Sequence, residues 1–187
     1  MPDTTLETFL ETGAYLRGHF RLTSGLHSAE YLQSAKVLQF PNIAQRLAEE
    51  LAKRMPKGET VAAPALGGLI IGHEVARAMG VPFIFTERDT DGKMALRRGF
   101  SVREGQKFVV IEDVVTTGGS TREVIDLLKS MGAEVLAAGS IIDRSGGSAD
   151  VGVPRVALTT LKPETWPPDF CPLCQQGVPV EKPGSRK

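Results

Sequence analysis

The stretch from Phe108 to Thr121, FVVIEDVVTTGGST, restricts the possible folds of this chain more than any other. Phe108, Val109, Val110 and Ile111 form an apolar, largely β-branched run that reads as a buried strand. Two adjacent carboxylates, Glu112 and Asp113, follow it, and then a small hydroxyl-rich turn from Thr116 to Thr121. Beyond the turn, Val124, Leu127, Leu128 and Met131 recur at helical spacing. The order is therefore strand, acidic pair, Gly/Thr loop, helix.

That order carries chemistry. A loop that leads from a parallel strand into a helix exposes unpaired N–H groups. With the helix dipole and the hydroxyls, these make a cradle for a phosphate. Glycines allow the backbone to approach the ligand closely. The carboxylates lie too close to the phosphate to be its ligands. They suit sugar hydroxyls, or Mg²⁺ met directly or through water. One phosphate cradle beside carboxylates for a ribose describes a phosphoribosyl site. The chain has no G-x-x-x-x-G-K-[ST] and no G-x-G-x-x-G after a strand, which argues against nucleoside-triphosphate and dinucleotide sites. The plain alternative is a capped βα turn, but it leaves two adjacent charges at the end of a buried strand without a reason.

A chain of 187 residues can close one domain around a real core. The 22 basic and 22 acidic residues balance, which argues against bulk nucleic-acid binding and a polybasic membrane anchor. No apolar run approaches the roughly 20 residues that span a bilayer. The N-terminal MPDTTLETFLETG is acidic and lacks a signal-peptide core, so a cytoplasmic location is expected. Cys171 and Cys174 form a lone C-x-x-C. A zinc site needs about four ligands. There is no second pair, and His19, His27 and His73 are remote in sequence. A dimer could supply two pairs, but a simple turn in the tail is the preferred reading.

The pattern predicts helices over Thr5 to Tyr15, Pro41 to Met55, Leu69 to Met79 and Ser120 to Met131. Strands are expected at Glu59 to Ala65, Pro82 to Phe85, Phe108 to Ile111, Glu134 to Ile142 and Arg155 to Leu161, with short extended pieces at Phe20 to Leu22 and Ala29 to Leu32. This alternation argues an α/β fold with a doubly wound, mostly parallel sheet, its ligands at the carboxyl ends of strands near a switch point. The whole chain, 1–187, reads as a single domain: a region over 1–40, an α/β core over 41–162 and an irregular tail over 163–187.

The Phe108 to Thr121 segment resembles the phosphoribosyl-diphosphate (PRPP) signature of the type I phosphoribosyltransferases. RLTSG at Arg21 to Gly25 and IIDRSGG at Ile141 to Gly147 resemble elements of the orotate phosphoribosyltransferases, the second on the orotate side. LRRGF at Leu96 to Phe100, CPLC, and KPGSR near the C-terminus are similar to one bacterial branch. The likeness covers essentially the whole chain.

The resemblance implies a Mg²⁺-dependent transfer of ribose 5-phosphate from PRPP to orotate, giving orotidine 5′-monophosphate and diphosphate in pyrimidine biosynthesis. It implies a small N-terminal hood over the base, a homodimer with a lid loop shared between subunits, and no nucleic-acid or membrane partner. PRPP would meet Arg88, Lys93, Glu112, Asp113, Val114, Val115, Thr116, Thr117, Gly118, Gly119 and Ser120. Orotate would meet Thr116 and Arg144, whose guanidinium fork can pair its carboxylate. Lys93 and Asp113 would be catalytic. Mg²⁺ would be held mainly by PRPP, with Glu112 and Asp113 nearby and no fixed protein ligand. Backbone of the Leu66 to Gly68 turn would meet the diphosphate, and Thr23, Tyr31 and Leu32 of the hood would lie near PRPP and base.

The polar excursion from Glu87 to Phe100, with Arg88, Lys93, Arg97 and Arg98, is the candidate lid, its plain alternative being a solvated hairpin. Many relatives carry Arg-Lys, then a Lys and a His there, and Tyr-Lys where this chain has Leu66-Gly67. Here the loop has Glu87-Arg88 and a DTDGK tip without His. Two other functions compete: transfer to another base, and a PRPP-sensing regulator that binds nucleic acid. The second would need a basic face.

Overall fold

The computed structural model describes residues 4–22 and 24–183. They divide into two compact units. Unit 1 draws on both ends of the chain, up to Val37 and from Lys162, and unit 2 runs from Leu38 to Leu161.

In unit 1, helix α1 (Thr4–Glu11) precedes strands β1 (Tyr15–Arg21) and β2 (His27–Leu32). The sequence pattern extends the first helix to Tyr15, but Gly13 stops it. Gly13 takes φ +62°, its N–H donates to Leu10 O, and the Ala14 N–H donates to Phe9 O. This left-handed cap satisfies the last carbonyls and releases the chain into β1. β1 and β2 pair antiparallel, and β9 (Thr165–Trp166) adds to β2. Phe9, Ala14, Phe20 and Leu32 are buried. The tail expected to be irregular holds β9, a 3-10 turn (Pro168–Phe170) and the one-turn helix α6 (Pro172–Gln175). Helix α2 (Ser34–Leu38), absent from the sequence reading, ends at the sequence boundary of the two units.

Unit 2 is a doubly wound α/β sheet. Its elements are α3 (Pro41–Arg54), β3 (Thr60–Pro64), α4 (Gly68–Met79), β4 (Phe83–Arg88), β5 (Met94–Leu96), β6 (Lys107–Val115), α5 (Gly119–Ser130), β7 (Glu134–Asp143) and β8 (Arg155–Thr160). The strand order is β5-β4-β3-β6-β7-β8, parallel throughout except for the edge hairpin β4–β5. Alternate side chains of the central strands face opposite layers. Ala62, Phe108, Val110 and Ala138 join Val124, Ile125 and Leu128 of α5 in one cluster. On the other face, Gly68 and Gly72 of α4 lie so close to Ala63 that an added Cβ would approach its methyl at 3.0 and 2.9 Å. Strands buried on both faces account for the near-continuous apolar runs.

The chain leaves β3 for β4 on one side and β6 for β7 on the other. The switch point therefore falls between the adjacent strands β3 and β6, where open α/β sheets place their ligands.

Candidate active site at the switch point

Strand β6 continues to Val115, four residues beyond the apolar run, so Glu112 and Asp113 belong to the strand itself. Glu112 is buried. Burial raises its carboxyl well above the ordinary value, and the Asp113 charge beside it adds to the shift. The Asp113 N–H donates to Glu112 Oε1 at 3.2 Å, and the Val114 N–H donates to Asp113 Oδ1 at 2.8 Å. Both valines lie in the β6–β7 ladder, and Val115 O accepts from Arg144 N at 2.8 Å.

The turn after β3 reaches the same place. A Cβ on Gly67 would stand 2.6 Å from Asp113 Oδ1, and one on Gly68 would stand 2.9 Å from Ile111 O. Only glycine lets this turn pack so closely against strand β6. Thr116, Thr117 and Gly119 are exposed, Ser120 is half-buried and Gly118 is buried. Gly118, the N-cap of α5, takes φ +81° and brings no side-chain cap. Thr117 Oγ1 accepts from Gly119 N at 3.4 Å. The first turn of α5 thus presents backbone N–H groups and two threonine hydroxyls beside a carboxylate pair, a donor set that suits an anion.

Arg144 follows the last residue of β7. The IIDRSGG element owes its shape to its aspartate. Asp143 Oδ1 accepts from Ser145 N and Ser145 Oγ at 2.8 and 2.6 Å, and Oδ2 accepts from Gly147 N at 2.9 Å. Arg155 Nη1 pairs with Asp143 Oδ2 at 2.8 Å. Burial works to raise the Asp143 carboxyl, but Ser145 and Arg155 outweigh it and hold the group below its usual value. The sequence reading missed both Arg155 and this organising role. The contact is made between β7 and β8, across the fold, and has no local signal in the sequence.

The basic excursion is a hairpin. β4 and β5 pair antiparallel, with Asp89–Lys93 at the tip. Asp89 Oδ1 accepts from the N–H groups of Asp91 and Lys93 at 2.9 Å each, which closes the turn. Lys93 is exposed there and, among the described residues, makes no ion pair. Arg88 is engaged: Nη1 donates to Gly92 O and pairs with Glu123 of α5 at 2.8 Å. Arg98, a further cation of the same excursion, pairs with Glu87 through two contacts of 2.7 and 2.8 Å and lies over the Phe85 ring.

Of the hood residues, Thr23 falls outside the described residues, while Tyr31 is half-buried and Leu32 buried on β2 of unit 1. The C-x-x-C does not stand alone, as its sequence suggested. In unit 1 it meets His19 and His27, and the four ligand atoms lie within 4.8 Å of one another.

The profile of the phosphoribosyl transferase domain family matches residues 33–166. An orotate phosphoribosyltransferase of Desulforamulus reducens is 53% identical over 184 residues, covering 97% of this chain and 96% of its own. One from Thermotoga petrophila is 53% identical over 182 residues, covering 96% and 97%. The crystal structure of orotate phosphoribosyltransferase from Aeropyrum pernix is 29% identical with a TM-score of 0.70, covering 83% of this chain and 93% of that one. Half-identity over nearly full length, on one fold with one switch-point loop, leaves a single placement: the chain belongs to the phosphoribosyltransferase family, in its orotate phosphoribosyltransferase branch.

Proposed function

We propose that this chain transfers ribose 5-phosphate from PRPP to orotate, releasing diphosphate and forming orotidine 5′-monophosphate in pyrimidine biosynthesis. The observation that carries the reading is the acidic pair, Glu112 buried and Asp113 half-buried, set between the glycine turn after β3 and the glycine-capped start of α5.

Breaking the C1–O bond places positive charge on the ribose and negative charge on the departing diphosphate, so catalysis here is positioning and electrostatics. The N–H groups and hydroxyls of Thr116 to Ser120 bind the 5′-phosphate. Glu112 and Asp113 accept hydrogen bonds from the ribose 2′- and 3′-hydroxyls, which orients the ring for attack. Val114 and Val115 act through the strand that aims the pair, since their backbone is already used in the ladder. Gly67 and Gly68 give the diphosphate close access to backbone. Arg144 pairs the orotate carboxylate, with Thr116 beside it. Lys93, on the exposed hairpin tip, closes on the leaving diphosphate, excludes water and neutralises developing charge; Arg88 supports that hairpin through Glu123. Glu112 and Asp113, beside the place proposed for PRPP, would lie near a magnesium ion that arrives with PRPP and would make the diphosphate a better leaving group. We further propose a homodimer that shares the hairpin and acts in the cytoplasm. No helix among the described residues is long and apolar enough to cross a membrane.

The deciding test is orotate consumption followed by absorbance with PRPP and Mg²⁺, beside a metal-free control and parallel assays with uracil and adenine. Matched loss of orotate and gain of orotidine 5′-monophosphate supports the reading. Turnover only with another base, or none in folded protein, rejects it.

A further inference from the structure

We propose that unit 1 holds a structural zinc ion on His19, His27, Cys171 and Cys174, which ties the C-terminal segment to the β1–β2 hairpin.

Three places in the chain converge. His19 lies within β1, His27 opens β2, and the two cysteines sit at the start of α6. His19 Nε2 is 2.8 Å from His27 Nδ1, 3.4 Å from Cys171 Sγ and 3.7 Å from Cys174 Sγ, and Cys174 Sγ is 3.3 Å from His27 Nδ1. A tetrahedral zinc site with ordinary bond lengths has ligand edges of about 3.3 Å for N–N and about 3.6 Å for N–S. These four separations lie within about half an ångström of those edges and all four ligand atoms lie within 4.8 Å of one another, so side-chain adjustment would seat the ion.

The far side of the His19 ring is held as well. His19 Nδ1 lies 2.7 Å from Val178 O. A carbonyl only accepts, so that nitrogen carries the proton and Nε2 is left as a lone pair aimed into the cluster. Fixing the tautomer of a ligand histidine through a backbone carbonyl is how metal sites are commonly oriented. Three groups crowd that one lone pair, which can accept a good hydrogen bond from only one of them. A divalent cation satisfies all four ligands at once. The two thiols lose their protons on binding, so two thiolates and two neutral imidazoles around Zn²⁺ leave no net charge in a site where three of the four residues are buried. With four protein ligands the shell is closed, which marks a structural rather than a catalytic metal.

The surrounding backbone shows what the ion would hold. Arg21 N donates to Glu181 O and Glu181 N donates to His19 O, both at 2.8 Å, so the chain beyond α6 already runs along β1.

Metal analysis of the full chain, made in zinc-supplemented medium, freed of any tag and purified reduced without chelator, tests this. About one zinc per chain is expected, falling at least tenfold in Cys171→Ser and in His27→Ala, with His73→Ala unchanged. Should those variants fail to fold, cobalt replaces zinc in the wild-type chain. Tetrahedral visible bands and thiolate-to-cobalt charge transfer support the site, and an octahedral spectrum rejects it. No metal in the wild-type protein with no cobalt uptake, an unchanged zinc content in Cys171→Ser, or equal loss in His73→Ala would each overturn the proposal.

Discussion

At the scale of single residues, Glu112 shows the cost of a site built before its ligand arrives. Burial and then the Asp113 charge hold its carboxyl above its ordinary value. An acid raised in the folded state costs stability when it ionises. That cost is absent below the unfolded value of about 4.3, grows as pH rises from there, and is complete above the folded value. Glu112→Gln is expected to stabilise the free protein by about 1 kcal/mol at pH 7, a Tm gain of roughly 2–4 °C. The gain should vanish near pH 4, and calorimetry should show weaker PRPP binding; equal Tm gains at both pH values would contradict the assignment. Gly118 is constrained twice, by its φ of +81° and by Val151 Cγ1, 2.8 Å from where a Cβ would stand. Gly118→Ala should cost roughly 1–3 kcal/mol in urea unfolding and weaken phosphate binding more than orotate binding.

At the scale of elements, the proposed site has a largely buried part and an exposed hairpin. The loop after β7 is shaped by the Asp143–Arg155 pair, both side chains largely buried. Its stabilisation is present above the unfolded carboxylate value of about 3.9 and is lost as pH falls through the lower folded value. Arg155→Ala leaves a buried charge unpaired and should cost about 3–5 kcal/mol at pH 7. The deficit should shrink on acidification below about pH 3.9, because a protonated Asp143 no longer needs its partner; denaturant titrations at pH 7 and at about pH 3 measure it. The β4–β5 hairpin is the opposite case. Its tip is exposed, and the Arg88–Glu123 pair that anchors it is partly solvated and worth little alone. A lysine acting only on leaving-group charge is felt in the transition state. Lys93→Ala is therefore expected to lower kcat about a hundredfold with little change in the KM for PRPP. A rise in KM at unchanged kcat would make Lys93 a plain binding residue.

At the scale of the whole molecule, the proposed shared hairpin has a direct test. Asp113→Asn and Lys93→Ala chains should each be nearly inactive, and mixing them with subunit exchange should restore up to about a quarter of the wild-type rate, the share expected when one intact site forms in each mixed dimer and half the dimers are mixed. No recovery after demonstrated exchange would place the hairpin in its own subunit's site. The sequence alone determined what depends on neighbours along the chain: the βα alternation, the parallel sheet, the acidic pair and the glycine-capped loop. Those are short-range patterns, set by side-chain periodicity and by which residues tolerate a tight turn. It erred where a cap overrode the apolar period, as Gly13 does at the end of α1, and it could not see pairings made across the fold. The tertiary structure alone decided that β3 and β6 are neighbours, that Gly67 abuts Asp113, that Arg155 answers Asp143, and that His19 and His27 meet two cysteines some 150 residues away. Such contacts arise when the chain closes on itself, and a ligand set assembled that way has no spacing for a sequence to display.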